Sequence, residues 1–261
     1  VKGILQKMKT RLNTPVEYEL PIGTQSLPLN SFLGAPFTLS FSGKIFCLGC
    51  GGQTKKSFNQ GYCYRCFISL AACDMCIVKP ELCSYFRGGC REPAWGEKNC
   101  LIPHIVYLAN SSGLKVGITR EVNLPHRWID QGAIQALPIA RVPNRLSSGV
   151  LEVKAKNLVA DKTNWQVMLK GHNQPINFMD VRSDLLHLWG EADSIEIIAD
   201  PQAIEIQYPV LEYPLKITSL NPEKAPVING ILLGIKGQYL IFDKGVINIR
   251  KFGGYEVEIA L

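Results

Sequence analysis

The residues most able to do chemistry are nine cysteines, all of which fall between Cys47 and Cys100. The first four are arranged as Cys47-Leu48-Gly49-Cys50 and, after twelve intervening residues, Cys63-Tyr64-Arg65-Cys66. Each C-x2-C turn offers two sulfurs on one side of a tight loop, so two such knuckles can enclose one tetrahedral ion. Thiolates without histidine select zinc or an iron–sulfur centre. Gly51 and Gly52 after the first knuckle suit a ribbon-like turn and favour Zn²⁺ in a structural role. Buried free thiols are the bland alternative, and four cysteines at this spacing make it the weaker one.

Five cysteines remain, Cys73, Cys76, Cys83, Cys90 and Cys100, with His104 four residues after the last. Four of the five, or three with His104, could close a second zinc tetrahedron, and the spacing does not choose among them. A redox pair at Cys73 and Cys76 competes with that reading, but it requires a thiol of lowered pKa at a helix start. An odd cysteine count gathered in one stretch suits metal ligation in a reducing compartment better than a disulfide framework. A cytoplasmic protein is therefore expected. Lys2, Lys7 and Lys9 interrupt the first ten residues too often for the apolar core of a signal peptide, and no run approaches the roughly eighteen apolar residues of a membrane span.

A second chemical constellation follows the cysteines. Tyr107 sits in the run His104 to Asn110 and Lys115 in the run Leu114 to Thr119, and the Ser111-Ser112-Gly113 turn joins these runs as a β-hairpin. Arg127 lies ten residues beyond Gly117, and Glu152 lies in a later helical pattern. With Ile105-Val106-Tyr107 and Lys115-Val116-Gly117 as its two motifs, the segment from about 104 to 165 resembles the GIY-YIG endonuclease domain. That resemblance implies an α/β fold with a central sheet of about three strands flanked by helices. It also implies that Tyr107 contacts or deprotonates a nucleophilic water, Arg127 binds the scissile phosphate and Glu152 holds Mg²⁺ or Mn²⁺. Ile105 stands where the first motif has glycine. Lys115 stands where the second has tyrosine; a lysine can bind phosphate or assist proton transfer, but it lacks a phenol's chemistry. His126 would line the same cleft or lie exposed.

Singly, these residues have ordinary readings: Tyr107 as a core aromatic, Arg127 stacked beside Trp128, Glu152 paired with Lys156 on a solvated helix face. Over nearly its whole length the chain also resembles a bacterial and archaeal family of unknown function that joins a cysteine-rich half to VYLANSSGLKVGITR and RWIDQGA. That second resemblance implies no activity.

The elements that must position these groups divide by composition into four segments of an α+β, multi-domain chain. Residues 1–46 form a small β element around Val16 to Leu20 and Phe37 to Phe41. Residues 47–100 form the zinc-ribbon-like segment, poor in large aliphatics and dependent on metal for its core. Residues 101–202 form the GIY-YIG-like α/β domain. There Ser147 and Ser148 serve as N-caps of a helix burying Leu151, Ala155, Leu158 and Val159, and a second helix covers Asp180 to Trp189, burying Val181, Leu185, Leu188 and Trp189. Residues 203–261 carry six strand patterns, AIEIQY, PLKITSL, INGILLGIKG, QYLIF, VINIRKF and YEVEIA, which read as a small β-barrel or sandwich.

The net charge of +6 is uneven: residues 41–160 carry fifteen bases against seven acids, and residues 161–261 nine against thirteen. A basic centre permits contact with DNA or RNA, with Lys55, Lys56, Arg65, Arg87 and Arg91 as candidate phosphate contacts. Three functions follow: a zinc-containing, divalent-metal-dependent endonuclease; a non-catalytic nucleic-acid-binding module; or a protein-interaction scaffold whose zinc replaces a missing core.

Overall fold

The computed structural model describes residues 1–159, 162–172, 174–190 and 194–261. In chain order the strands begin with β1 (Lys2–Ile4), β2 (Lys9–Arg11), β3 (Glu17–Ile22), β4 (Gln25–Pro28), β5 (Pro36–Phe46) and β6 (Gln53–Thr54), followed by helix α1 (Tyr64–Ser69). Four short 3-10 turns lead from Ala71 to Arg87 and into α2 (Pro93–Asn99). Next come β7 (His104–Asn110), β8 (Leu114–Arg120), α3 (His126–Asp130), β9 (Gln135–Val142), α4 (Arg145–Ala155), α5 (Trp165–Lys170), α6 (Met179–Trp189), β10 (Glu196–Ile197) and β11 (Ile204–Glu205). The last strands are β12 (Val227–Lys236), β13 (Tyr239–Phe242), β14 (Gly245–Asn248) and β15 (Tyr255–Ala260).

These elements form two compact units interleaved in sequence. The first comprises Val1–Ile68, Leu169–Gly171 and Ile206–Leu261. It holds an open sheet in the order β1-β15-β5-β12-β13-β14, with β6 also paired to β5, and a separate three-stranded sheet β2-β3-β4. The earliest and latest segments of the chain therefore share one sheet. No closed barrel is present among the described residues, which corrects the barrel expected of residues 203–261. AIEIQY contributes only Ile204–Glu205, as an edge strand of the second unit, and PLKITSL contributes one bridge, Ser219 to Val246. The central strand β5 alternates Phe37, Leu39 and Ile45 into the core, and the remaining four apolar runs of that expectation are the strands β12, β13, β14 and β15.

The second unit comprises Ser69–Met168 and His172–Glu205. The cysteine-rich stretch expected as one segment is thus divided, with Cys47 to Cys66 in the first unit and Cys73 to Cys100 in the second. The sheet of the second unit runs β10-β9-β7-β8, with β11 also on β9, all antiparallel. The expected hairpin β7–β8 forms, and its register sets Tyr107 opposite Gly117. Every residue of β7 is buried, because Val106 and Leu108 meet one layer and Tyr107 meets another.

On the first of these faces Val106, Leu108 and Val116 pack with Leu151 and Ala155 of α4 and Leu185 and Trp189 of α6. Each Val or Leu side chain so removed from water contributes about 1.5–3 kcal/mol before the cost of ordering it. Helix α4 starts three residues before the expected caps: Asn144 is the N-cap, and its Oδ1 accepts from the Ser147 amide. Leu158 lies past the helix end and is 53% exposed, and Leu188 is 39% exposed, so both leave the stripes that periodicity gave them.

Candidate metal centre and the tyrosine cluster

The first metal-competent site lies at the end of β5. Strand β5 delivers Cys47, the turn after it Cys50, and the Phe58 to Tyr62 bridge brings the second knuckle back so that Cys63 and Cys66 face the first pair. Glycine enables this close approach. A Cβ on Gly61, whose φ is +136°, would stand 2.5 Å from Leu48 Cδ1, and one on Gly254, with φ +89°, would stand 2.3 Å from the Phe46 carbonyl oxygen.

The four sulfurs all lie within 4.8 Å of one another, and Cys50 and Cys63 are 3.9 Å apart. A tetrahedral zinc with Zn–S near 2.3 Å sets its sulfurs about 3.8 Å apart, so the donor set fits that ion. The amides of Gly49 and Cys63 donate to Cys47 Sγ at 3.3 and 3.2 Å, which stabilises a thiolate there. Burial presses the Cys47 thiol up, but amide hydrogen bonds from Cys63, Cys50 and Gly49 outweigh it and hold it at about 6. Burial and the neighbouring thiols of Cys47, Cys63 and Cys50 push Cys66 up to about 12. Four acidic groups in one small volume cannot all ionise alone, and a divalent cation among them reverses that constraint. This cluster could hold a zinc ion.

The later cysteines are placed differently. Cys76, Cys83, Cys90 and Cys100 line one cavity of the second unit, and Cys73 and His104 are not in its wall. None of them joins a group of three donors as tight as the first set among the described residues. His104 is fully buried at the start of β7. Its Nδ1 bonds the Ile102 carbonyl oxygen at 2.7 Å, and burial lowers its pKa to about 4, so the imidazole is neutral.

The tyrosine cluster is assembled from β7, β8 and α3. Gly117 leaves room for the Tyr107 ring, since a Cβ there would stand 2.7 Å from Tyr107 Cζ and Oη. Trp128 of α3 meets the ring edge-on at 5.9 Å between centroids. Gln131 Nε2 donates to the phenol oxygen and, at 3.0 Å, to the Arg127 carbonyl oxygen. Burial raises the Tyr107 phenol against the lowering effects of the Arg127 charge and of hydrogen bonds from Gln131 and Arg127, while the Glu152 charge adds to the rise.

Arg127 and Glu152 are therefore each within electrostatic reach of the Tyr107 phenol. The Lys115 ammonium donates to Thr163 Oγ1 at 3.5 Å. His126 is exposed. Tyr107 is 1% exposed, so its phenol is closed to solvent, and a phenol held protonated cannot take a proton from water. Gln131 escaped sequence reading, although its i+4 spacing from Arg127 on one helix face was a usable signal.

A family model described as Protein of unknown function (DUF2797) matches residues 34–257. The chain belongs to this DUF2797 family. No curated protein and no solved structure matches it significantly. The family match spans both cysteine sets and the tyrosine cluster and assigns a function to none of them. Among the described residues no helix is long and apolar enough to cross a membrane.

Proposed function

We propose that this DUF2797 protein is a zinc-containing nucleic-acid-binding protein, in which Zn²⁺ at Cys47, Cys50, Cys63 and Cys66 rigidifies a loop pair that docks a single strand of DNA or RNA. The observation that carries the reading is the surface of that loop pair. Lys55, Lys56, Tyr64 and Arg65 are exposed on it, with Tyr64 at 59%, and no carboxylate occurs in sequence between Glu19 and Asp74. Lys56 Nζ stands 5.3 Å over the Phe58 ring, and Phe58 stands 5.6 Å from Tyr64, so cation and aromatic faces alternate. Single strands are bound by that combination: phosphates by cations, bases by stacking. By contrast, Arg91 of the second unit is committed to Asp74 at 2.7 Å.

Fluorescence anisotropy of a labelled oligonucleotide across a salt series tests the proposal. Lys55→Ala with Lys56→Ala should reduce the log–log salt slope by about 1.4, two contacts at about 0.7 each on a single strand. Zinc content should be unchanged. Equal affinity at low and high salt would exclude a phosphate-dominated interface.

A second reading, Mg²⁺- or Mn²⁺-dependent strand cleavage, is favoured by the electrostatic influence of both Arg127 and Glu152 on Tyr107. It requires Glu152→Gln to abolish cleavage of branched, nicked or linear substrates while affinity survives. The burial of Tyr107 places this reading second.

A further inference from the structure

We infer that Cys76, Cys83, Cys90 and Cys100 form a second tetrathiolate zinc centre in the second unit, with Cys73 and His104 outside its ligand set. This goes beyond the nucleic-acid reading and does not depend on it.

The sequence alone leaves five cysteines and a histidine competing for four places. The cavity decides among them, since four of the five cysteines line it together and the other two candidates do not. Its volume is about 20 Å³, room for one water-sized guest and too little for an organic ligand. The surrounding chain also lacks a core of its own. From Ala71 to Arg87 it consists of short 3-10 turns, and Met75, Val78, Leu82 and Phe86 are 55 to 73% exposed. A segment that leaves its large apolar side chains in water needs a cross-link, and metal ligation supplies one.

Charge gives an independent argument. Arg145 is half-buried at the start of α4; its Nε donates to the Cys76 carbonyl oxygen at 3.3 Å, and its backbone amide donates to the Cys100 carbonyl oxygen at 2.8 Å. No carboxylate pairs with this guanidinium among the described residues, and the charges that would stabilise it are the thiols of Cys100 and Cys76. A partly buried cation without a counter-ion is costly. Zinc with four thiolates carries a net charge of −2, and Arg145 beside it supplies compensation. Gly96 of α2 adds a steric cradle: a Cβ there would stand 3.2 Å from Cys90 Sγ.

The sulfurs stand further apart than those of the first set. On binding, Zn²⁺ gains four Zn–S bonds and the four thiols release their protons to solvent; no oxidant or reductant is involved.

The test is zinc stoichiometry of the full chain, purified without added metal. Wild type should hold two equivalents. Cys83→Ser with Cys90→Ser should hold one, and Cys73→Ser and His104→Gln should each retain two. A single equivalent in the wild type overturns the inference, as does full occupancy in the Cys83/Cys90 variant or loss of one equivalent in either control. Because the double variant could fail to fold, a second measurement uses wild type alone. Trp95 also lines the cavity, so stepwise zinc return to apoprotein should change tryptophan emission during filling of the site; emission constant through the addition of two equivalents would overturn the inference.

Discussion

The knuckle sulfurs of the first unit and the tyrosine cluster of the second both bring chemically capable side chains together, and they differ in what faces outward. At the knuckles Cys50 is exposed and Cys47 is 2% exposed, and the amides around them point at sulfur, so the site is arranged for an ion that is not part of the chain. At the cluster, Tyr107 is sealed by Trp128 and its hydroxyl is engaged by Gln131 and Arg127, while Trp128 Nε1 and Gln131 Oε1 are buried without a hydrogen-bond partner among the described residues. Convergence of residues is thus common to a metal-competent site and to a closed core, and what separates them is whether the polar groups face outward toward an ion or inward among core side chains.

The largest effect expected from this contrast follows loss of a knuckle ligand. Structural zinc sites of this type bind with about 10–16 kcal/mol at neutral pH, so Cys66→Ser should release one zinc equivalent and open the turn from Leu48 to Gly61 to hydrogen exchange. All four tryptophans, Trp95, Trp128, Trp165 and Trp189, belong to the second unit, so their emission should stay constant in this variant. A change there would break the contrast.

Next in size is Gly117→Ala. Its Cβ would meet the Tyr107 ring at 2.7 Å against a neighbour fixed on all sides, and the expected loss is about 1–3 kcal/mol in chemical denaturation followed by tryptophan emission. The smallest is Tyr107→Phe, which removes the phenol oxygen as an acceptor and leaves Gln131 Nε2 only the Arg127 carbonyl oxygen, at a cost of about 1–2 kcal/mol. A variant of wild-type stability would show that the phenol oxygen is not a hydrogen-bonded core group and would point to it as a reactive one.

Much of this was legible in the sequence where the signal is local. The paired C-x2-C turns lie close in sequence and fix their own geometry, and the β7–β8 hairpin was readable because its turn and alternation lie within seventeen residues, His104 to Arg120. The helix from Met179 was one residue longer than its pattern from Asp180. What failed was non-local. Nothing in AIEIQY tells that Ile204 pairs with Ala136, or that β5 lies between β15 and β12. The later cysteines were ambiguous for the same reason, since their wall is closed by turns and by Arg145, whose role is invisible in spacing. Asn144 took the N-cap from Ser147 and Ser148 because a side-chain oxygen three residues before an amide caps it equally well, and periodicity does not distinguish the two starts.

The interleaving of the two units has a consequence on the ribosome. Strand β5 finds β6 within a few residues, but its two long neighbours, β12 and β15, are made only at the other end of the chain. At about 5–20 residues per second, the roughly 200 residues between them occupy about 10–40 s. Through that interval the nascent chain carries an eleven-residue strand with open hydrogen-bonding edges, the form of backbone most prone to pair with a stranger. The knuckles lie directly after that strand and close over their own twenty residues, so an early-bound zinc would act as a clamp at its end while its partners are still being synthesised.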